Sequence, residues 1–218
     1  MAARDSLARI CECGAVAIIR ARASTGLVEA AQALTAGGIE ALEFTMNTPE
    51  ALRLIEDARQ ALGDDALVGA GTVLDAPAAE RAIQAGAQFL VLPGLNRGVV
   101  EMAHKHDVLV VPGALTPSEM MTAWGWNVEL IKVFPASLGG PAYLRALLGP
   151  FSEARLVPTG GVSVENAAEY LRAGAAAVAV GGKLLDQDAI LRGDFTRLEA
   201  LAGQLIAAVH EGRKEPAA

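Results

Sequence analysis

Only four lysines occur in the chain, Lys105, Lys132, Lys183 and Lys214, and one of them stands inside the apolar run "LIKVFPAS" (130–137). Burying an ammonium is costly, so a lysine placed there either faces a buried acid or is held for chemistry. A glutamate is embedded in the same way: Glu43 in "ALEFT" (41–45). Side chains alternate along a strand. Lys132 therefore shares a face with Phe134, leaving Ile131 and Val133 on the other, while Glu43 shares a face with Thr45 against Leu42 and Phe44. In both segments the apolar pair suits a helix-covered face, which sends the amine and the carboxylate to a common interior. Two chemistries fit. A buried Lys–Glu ion pair adds little net stability over an apolar isostere. Alternatively, desolvation lowers the amine's pKa, so that neutral Lys132 can attack a ketone to form a Schiff base. Glu43 is then the proton shuttle that imine formation, C–C cleavage and hydrolysis require.

Two glycine pairs form the second constellation: Gly160 and Gly161 in "PTGGVS", and Gly181 and Gly182 in "VGGKL". Glycine allows close backbone approach to a ligand, and backbone N–H groups beside a helix start suit phosphate. The plainer reading is a pair of tight turns. Lys183, beside the second pair, adds a cation to a phosphate site or is a solvated surface lysine. "HKH" (104–106) falls at a helix end before a strand and reads as surface. Trp124 and Trp126 read as packing or subunit contact. No set of residues has the pattern of a metal site.

The elements that must carry these groups recur at intervals of roughly 19 to 27 residues. Short β-branched runs at 15–21, 41–45, 67–73, 89–94, 108–114, 130–136, 155–161 and 176–182 alternate with helix-like segments, the form of repeated βα units. Ser24 or Thr25, Thr48, Asp75 and Ser163 are candidate helix caps. Eight such beats predict an α/β fold, a (β/α)8 TIM barrel, with an extra helix at 3–12, a frayed tail at 212–218 and one domain over 1–218. An open doubly wound sheet is the alternative, weakened by the absence of G-x-G-x-x-G from the first βα turn. In a barrel the site lies at the C-terminal strand ends. That singles out Arg20, Glu43, Thr72, Pro93, Lys132 and the glycine pairs.

Bulk properties bound the rest. Hydrophobic residues make up 52% of the 218 and aromatics only 4%, so the core is aliphatic, as parallel strands covered on both faces require. A formal net charge of −7 argues against nucleic acid as a partner. Cys11 and Cys13 form no disulfide framework, which fits a reducing, cytoplasmic setting. No signal-peptide pattern and no membrane-length apolar run is evident.

Taken together, "VAIIRA", "AGGIEALEFTMNTPEAL", "VGAGTVL", "AGAQFLVLPGL", "VPGALTPSE", "LIKVFPASLGGPAYLRALLGPF", "LVPTGGV" and "AVAVGGKLL" resemble the KDPG/KHG aldolases, class I enzymes that cleave 2-keto-3-deoxy-6-phosphogluconate. The matching stretches run in order over roughly residues 15 to 185. The combination of E-x-T, K-x-F-P and P-T-G-G carries the specificity. The resemblance implies a homotrimeric barrel of the Entner–Doudoroff pathway with no metal and no cofactor. It implies Lys132 as the Schiff-base residue and Glu43 as general acid/base. It also implies Arg20 and Thr72 around the pyruvate-derived end, and Gly160, Gly161, Gly181 and Gly182 around phosphate; Pro93, Phe134 and Asn47 are further expected substrate-binding residues. Asn47 stands where some relatives carry Arg, and the related galactonate aldolases also have Asn. Lys183 stands where many relatives have Ser or Ala.

The expected partner is therefore a small phosphorylated keto sugar acid, with a second role for self-association. The expected reaction is cleavage of 2-keto-3-deoxy-6-phosphogluconate to pyruvate and glyceraldehyde 3-phosphate. Alternatives are the 6-phosphogalactonate epimer or 4-hydroxy-2-oxoglutarate as substrate, or a barrel that binds sugar phosphates without cleaving them.

Overall fold

The computed structural model describes residues 3–214. Helix α1 (Ala3–Cys13) leads into alternating strands and helices: β1 (Ala15–Ile19), α2 (Leu27–Ala36), β2 (Ala41–Thr45), α3 (Ala51–Leu62), β3 (Leu67–Gly71), α4 (Ala76–Gln84), β4 (Phe89–Val91) and α5 (Arg97–Lys105). The fifth beat is split into β5 (Leu109–Val111) and β6 (Gly113–Ala114) by Pro112, which has no N–H to donate to a ladder. The chain continues through α6 (Pro117–Trp124), β7 (Ile131–Val133), a 3₁₀ turn at Ala136–Leu138, α7 (Gly140–Leu148), β8 (Leu156–Pro158), α8 (Val164–Arg172) and β9 (Val178–Val180). It ends in α9 (Gln187–Arg192) and α10 (Phe195–Lys214).

All strand pairs are parallel. Six strands are ordered β5-β4-β3-β2-β1-β9 and three are ordered β6-β7-β8. The order runs without the reversal that marks a doubly wound sheet, and the parallel sheet curls into a half-barrel. Two layers of apolar packing result. An apolar shell lies between strands and helices and includes Leu42, Phe44, Ile131 and Val133. A smaller interior cluster joins Val16, Ala41, Leu67, Phe89, Val91, Val111 and Val157 to Leu7 and Ile10 of α1.

That second cluster explains α1. The helix lies across the N-terminal strand ends: Ser6 Oγ donates to the Gln88 carbonyl, and Arg9 to the Glu40 carboxylate and the Asp65 carbonyl. Ile10, 1% exposed, closes the floor of the interior. At the far end of the chain, Arg213 of α10 donates to the carbonyls of Glu12 and Cys11. The expected frayed tail from 212 is thus helix through Lys214, because Gly212 packs tightly on Ala168 and Leu171 of α8; 215–218 lie outside the described residues.

Helix starts divide in the same way. Asp75 caps α4 by accepting from the Ala78 N–H, and Ser163 is the N-cap residue of α8, its N–H donating to Asn166 Oδ1. Ser24, Thr25 and Thr48 do not cap. Gly26 and Glu50, both left-handed, occupy the caps of α2 and α3, and Thr48 Oγ1 is engaged with Thr45 Oγ1 and the Ala21 N–H.

Candidate active site

Glu43 is the central residue of β2 and Lys132 that of β7. The alternation read from sequence places both on the inner face, and both line one interior cavity of about 10 Å³, room for about one water molecule. Ile10, Phe89, Val111, Val157 and Thr159 complete its wall. Glu43 is 1% and Lys132 6% exposed.

Their electrostatics follow from that burial. Desolvation pushes the Glu43 carboxyl above its usual range, opposed by the positive charges of Lys132 and Arg20. Desolvation pulls the Lys132 amine below its usual value, opposed by Glu43 and reinforced by Arg20. The two groups feel each other's charge without forming an ion pair within 4.0 Å. The Lys132 amine instead lies over the Phe134 ring, 5.0 Å from its centroid, a cation–π distance. Such an amine is chemically available: dry, with its charge only partly compensated, and beside a carboxyl whose pKa is moved toward neutrality.

The other candidate residues ring the C-terminal strand ends. Arg20 follows β1 and is exposed, with its backbone carbonyl accepting from Gln187 Nε2. Asn47 lies in the exposed turn after β2, and Arg20 and Asn47 share the lining of a larger open pocket, about 920 Å³, with Arg22, Gln187 and Leu191. Thr72, immediately after β3, adopts φ 56, a left-handed conformation unusual for a β-branched residue. Pro93 follows β4 and is exposed. Phe134 follows β7, 37% exposed at the mouth.

Gly160 and Gly161 have φ of 86 and 81, which glycine alone adopts without strain. Their turn packs on Phe134 and Ser137, and the Ser137 N–H donates to the Gly160 carbonyl. Gly181 and Gly182 have no such backbone demand and precede exposed Lys183. The Lys183 charge reaches Glu165 in the first turn of α8, and Thr159, just before the first glycine pair, bridges Ala179, two residues before the second. Thr159, buried beside the Glu43–Lys132 cavity, was missed from sequence. Its position two residues beyond Val157 on the inner face was the available signal. Among the described residues no group of three His, Cys, Asp or Glu could hold a metal ion.

Comparison with known proteins agrees with this geometry. Residues 7–201 match the family model for KDPG and KHG aldolase. The chain is 39% identical to the 2-dehydro-3-deoxy-phosphogluconate aldolase of Treponema pallidum, covering 82% of this chain and 85% of the relative. It is 36% identical to the Pseudomonas aeruginosa protein of the same name, covering 96% and 94%. Its fold superposes with a TM-score of 0.84 on a structure described as native KDPGal, at 30% identity, with 92% of this chain and 96% of that one covered. With the match spanning β1 to α10 and including both buried ionisable residues, the chain belongs to the KDPG and KHG aldolase family.

Proposed function

We propose that this chain is a class I aldolase that cleaves 2-keto-3-deoxy-6-phosphogluconate to pyruvate and glyceraldehyde 3-phosphate. The observation that carries the reading is a lysine and a glutamate, both buried, lining one water-sized cavity inside a parallel sheet. Neutral Lys132 attacks the C2 ketone. The carbinolamine loses water to give an iminium, which is the electron sink for the next step. Glu43, through a water, takes the proton of the C4 hydroxyl, and the C3–C4 bond breaks. Glyceraldehyde 3-phosphate leaves, the enamine is reprotonated at C3, and hydrolysis releases pyruvate and restores Lys132. Arg20, Thr72, Pro93 and Phe134 surround the pyruvate-derived end. Gly160, Gly161, Gly181, Gly182 and Lys183 hold the phosphate, and Asn47 contacts the substrate from the rim.

The supporting frame is a complete (β/α)8 barrel with α1 as an extra N-terminal helix, in one domain. Three features favour closure. β5 and β6 follow each other across Pro112, Thr159 bridges Ala179 in parallel, and the Ala176 N–H donates to the Leu156 carbonyl. The protein acts as a cytoplasmic homotrimer in the Entner–Doudoroff pathway. Two reduced cysteines fit that compartment, and among the described residues no helix is long and apolar enough to cross a membrane. Exposed Met121 and Trp124 on α6 offer an apolar subunit contact.

The decisive experiment is incubation with pyruvate and borohydride followed by mass spectrometry. A stable adduct on Lys132 is expected, and its absence from every lysine returns the protein to sugar-phosphate binding without cleavage. Asn47, hydrogen-bonding but uncharged, favours a second reading in which the 6-phosphogalactonate epimer is also cleaved. Turnover of the two epimers side by side decides it. A clear preference for unphosphorylated 4-hydroxy-2-oxoglutarate would remove the phosphate assignment.

A further inference from the structure

The inner face of β3 carries no side chain where the sheet most needs room. Leu67 points inward at its start, so Gly69 and Gly71 face inward above it. A Cβ at Gly69 would meet the Phe89 ring at 2.5 Å, so that glycine seats the aromatic floor. A Cβ at Gly71 would lie 1.8 Å from Glu43 Oε1, 2.4 Å from Cδ and 2.5 Å from Cγ. The sheet register pairs Gly71 with Thr45 and Gly69 with Glu43, so the Glu43 side chain leans along the neighbouring strand and ends on the gap above Gly71. Gly71 does not have a positive φ. Its backbone could therefore accept alanine, and only the space it leaves empty requires glycine.

We propose that Gly71 is a positioning residue, whose missing side chain fixes the Glu43 carboxylate at the height where it can exchange protons with a Lys132 adduct. The proposal rests on the aldolase reading above. Glu43 is buried and has no hydrogen-bond partner among the described residues that would hold it by direction. Its location is thus set by the walls around it: the Gly71 backbone beneath and the cavity shared with Lys132 and Thr159 beyond. A methyl at position 71 displaces the flexible end of a side chain rather than backbone. The fold should survive, while the carboxylate is pushed from its seat. Small displacements of a proton-transfer group cost rate steeply.

The test is a double-mutant cycle of Gly71→Ala and Glu43→Asp in the full chain. For G71A we expect kcat for cleavage to fall about 10²-fold, within the range that general acid–base catalysis supplies. KM should stay within about threefold, since ground-state binding is untouched. Pyruvate should still be trapped on Lys132 by borohydride. E43D shortens the side chain and withdraws the carboxylate from the Cβ, so the double variant should turn over no more slowly than E43D alone. Unchanged kcat in G71A, or losses that multiply in the double variant, overturns the proposal. If G71A does not fold, recovery of the fold in the double variant supports it and failure to recover refutes it. Absence of trapping in the unmodified protein removes the aldolase reading instead, a result distinct from either.

Discussion

The Lys132 amine lies 5.0 Å from the centroid of the Phe134 ring and is not in ion-pair contact with Glu43. The buried lysine therefore packs on an aromatic face rather than pairing with its acid, and desolvation lowers its pKa. This arrangement favours the proposed reactive amine over a structural ion pair.

Replacing Lys132 by Met follows directly. Activity should drop about 10⁴-fold or more, because among the described residues no other amine lines the cavity to form the imine. Stability should hold or rise by about 1 kcal/mol, because an apolar isostere avoids the ammonium's desolvation. Loss of the positive charge should raise the Glu43 pKa further, which eases protonation and avoids a stranded carboxylate. Steady-state kinetics and urea unfolding check the two arms.

Glu43 supplies a stability test with a defined sign. Burial holds its folded pKa above the ordinary glutamate value of 4.5. Between 4.5 and that raised value the native state binds the extra proton, so its contribution to stability falls as pH rises through the window. Glu43→Gln should abolish this loss. The variant should match the parent near pH 4 and exceed it at pH 8, measured as a difference in urea midpoint at the two pH values.

On the proposed reading, Arg20 acts on the chemistry through charge as well as contact. It depresses both the Lys132 and the Glu43 pKa. Arg20→Gln should let the Lys132 value rise, moving the ascending limb of the kcat/KM profile to higher pH. Loss of a charged substrate contact should also lower kcat/KM at pH 7 by about tenfold. A vertical drop with no shift of the limb would leave Arg20 as a binding residue alone.

Thr72 holds a left-handed φ of 56, a conformation that costs a β-branched residue about 1 kcal/mol or more. Thr72→Gly should therefore raise the thermal midpoint by a few degrees while lowering kcat/KM. Opposite signs in the two measurements are the expected result, and a loss of both would show that the Thr72 side chain is needed for the fold.

Ile10 seals the interior from below. Ile10→Ala should cost about 2–4 kcal/mol in urea unfolding. It should also admit water toward Lys132, relaxing the desolvation that lowers its pKa, so the ascending limb should again move to higher pH.

What the sequence by itself determined was local in origin. The βα rhythm follows from hydrophobic patterning, and the inward parity of Glu43 and Lys132 follows from the two-residue period of a strand. Both survive without knowledge of any neighbour. The caps at Asp75 and Ser163 were legible for the same reason, since their hydrogen bonds close within three residues. Caps at Ser24 and Thr48 failed because tertiary partners claimed their hydroxyls: Ser24 Oγ donates to Glu50, and Thr48 Oγ1 accepts from the Ala21 N–H. Tertiary structure alone decided that α1 floors the interior and that Arg213 ties the last helix to the first. Each rests on contacts between segments far apart in the chain, and no periodicity records them. The emptiness above Gly71 is of the same kind, because a glycine in a sequence does not say whose side chain occupies the space it leaves.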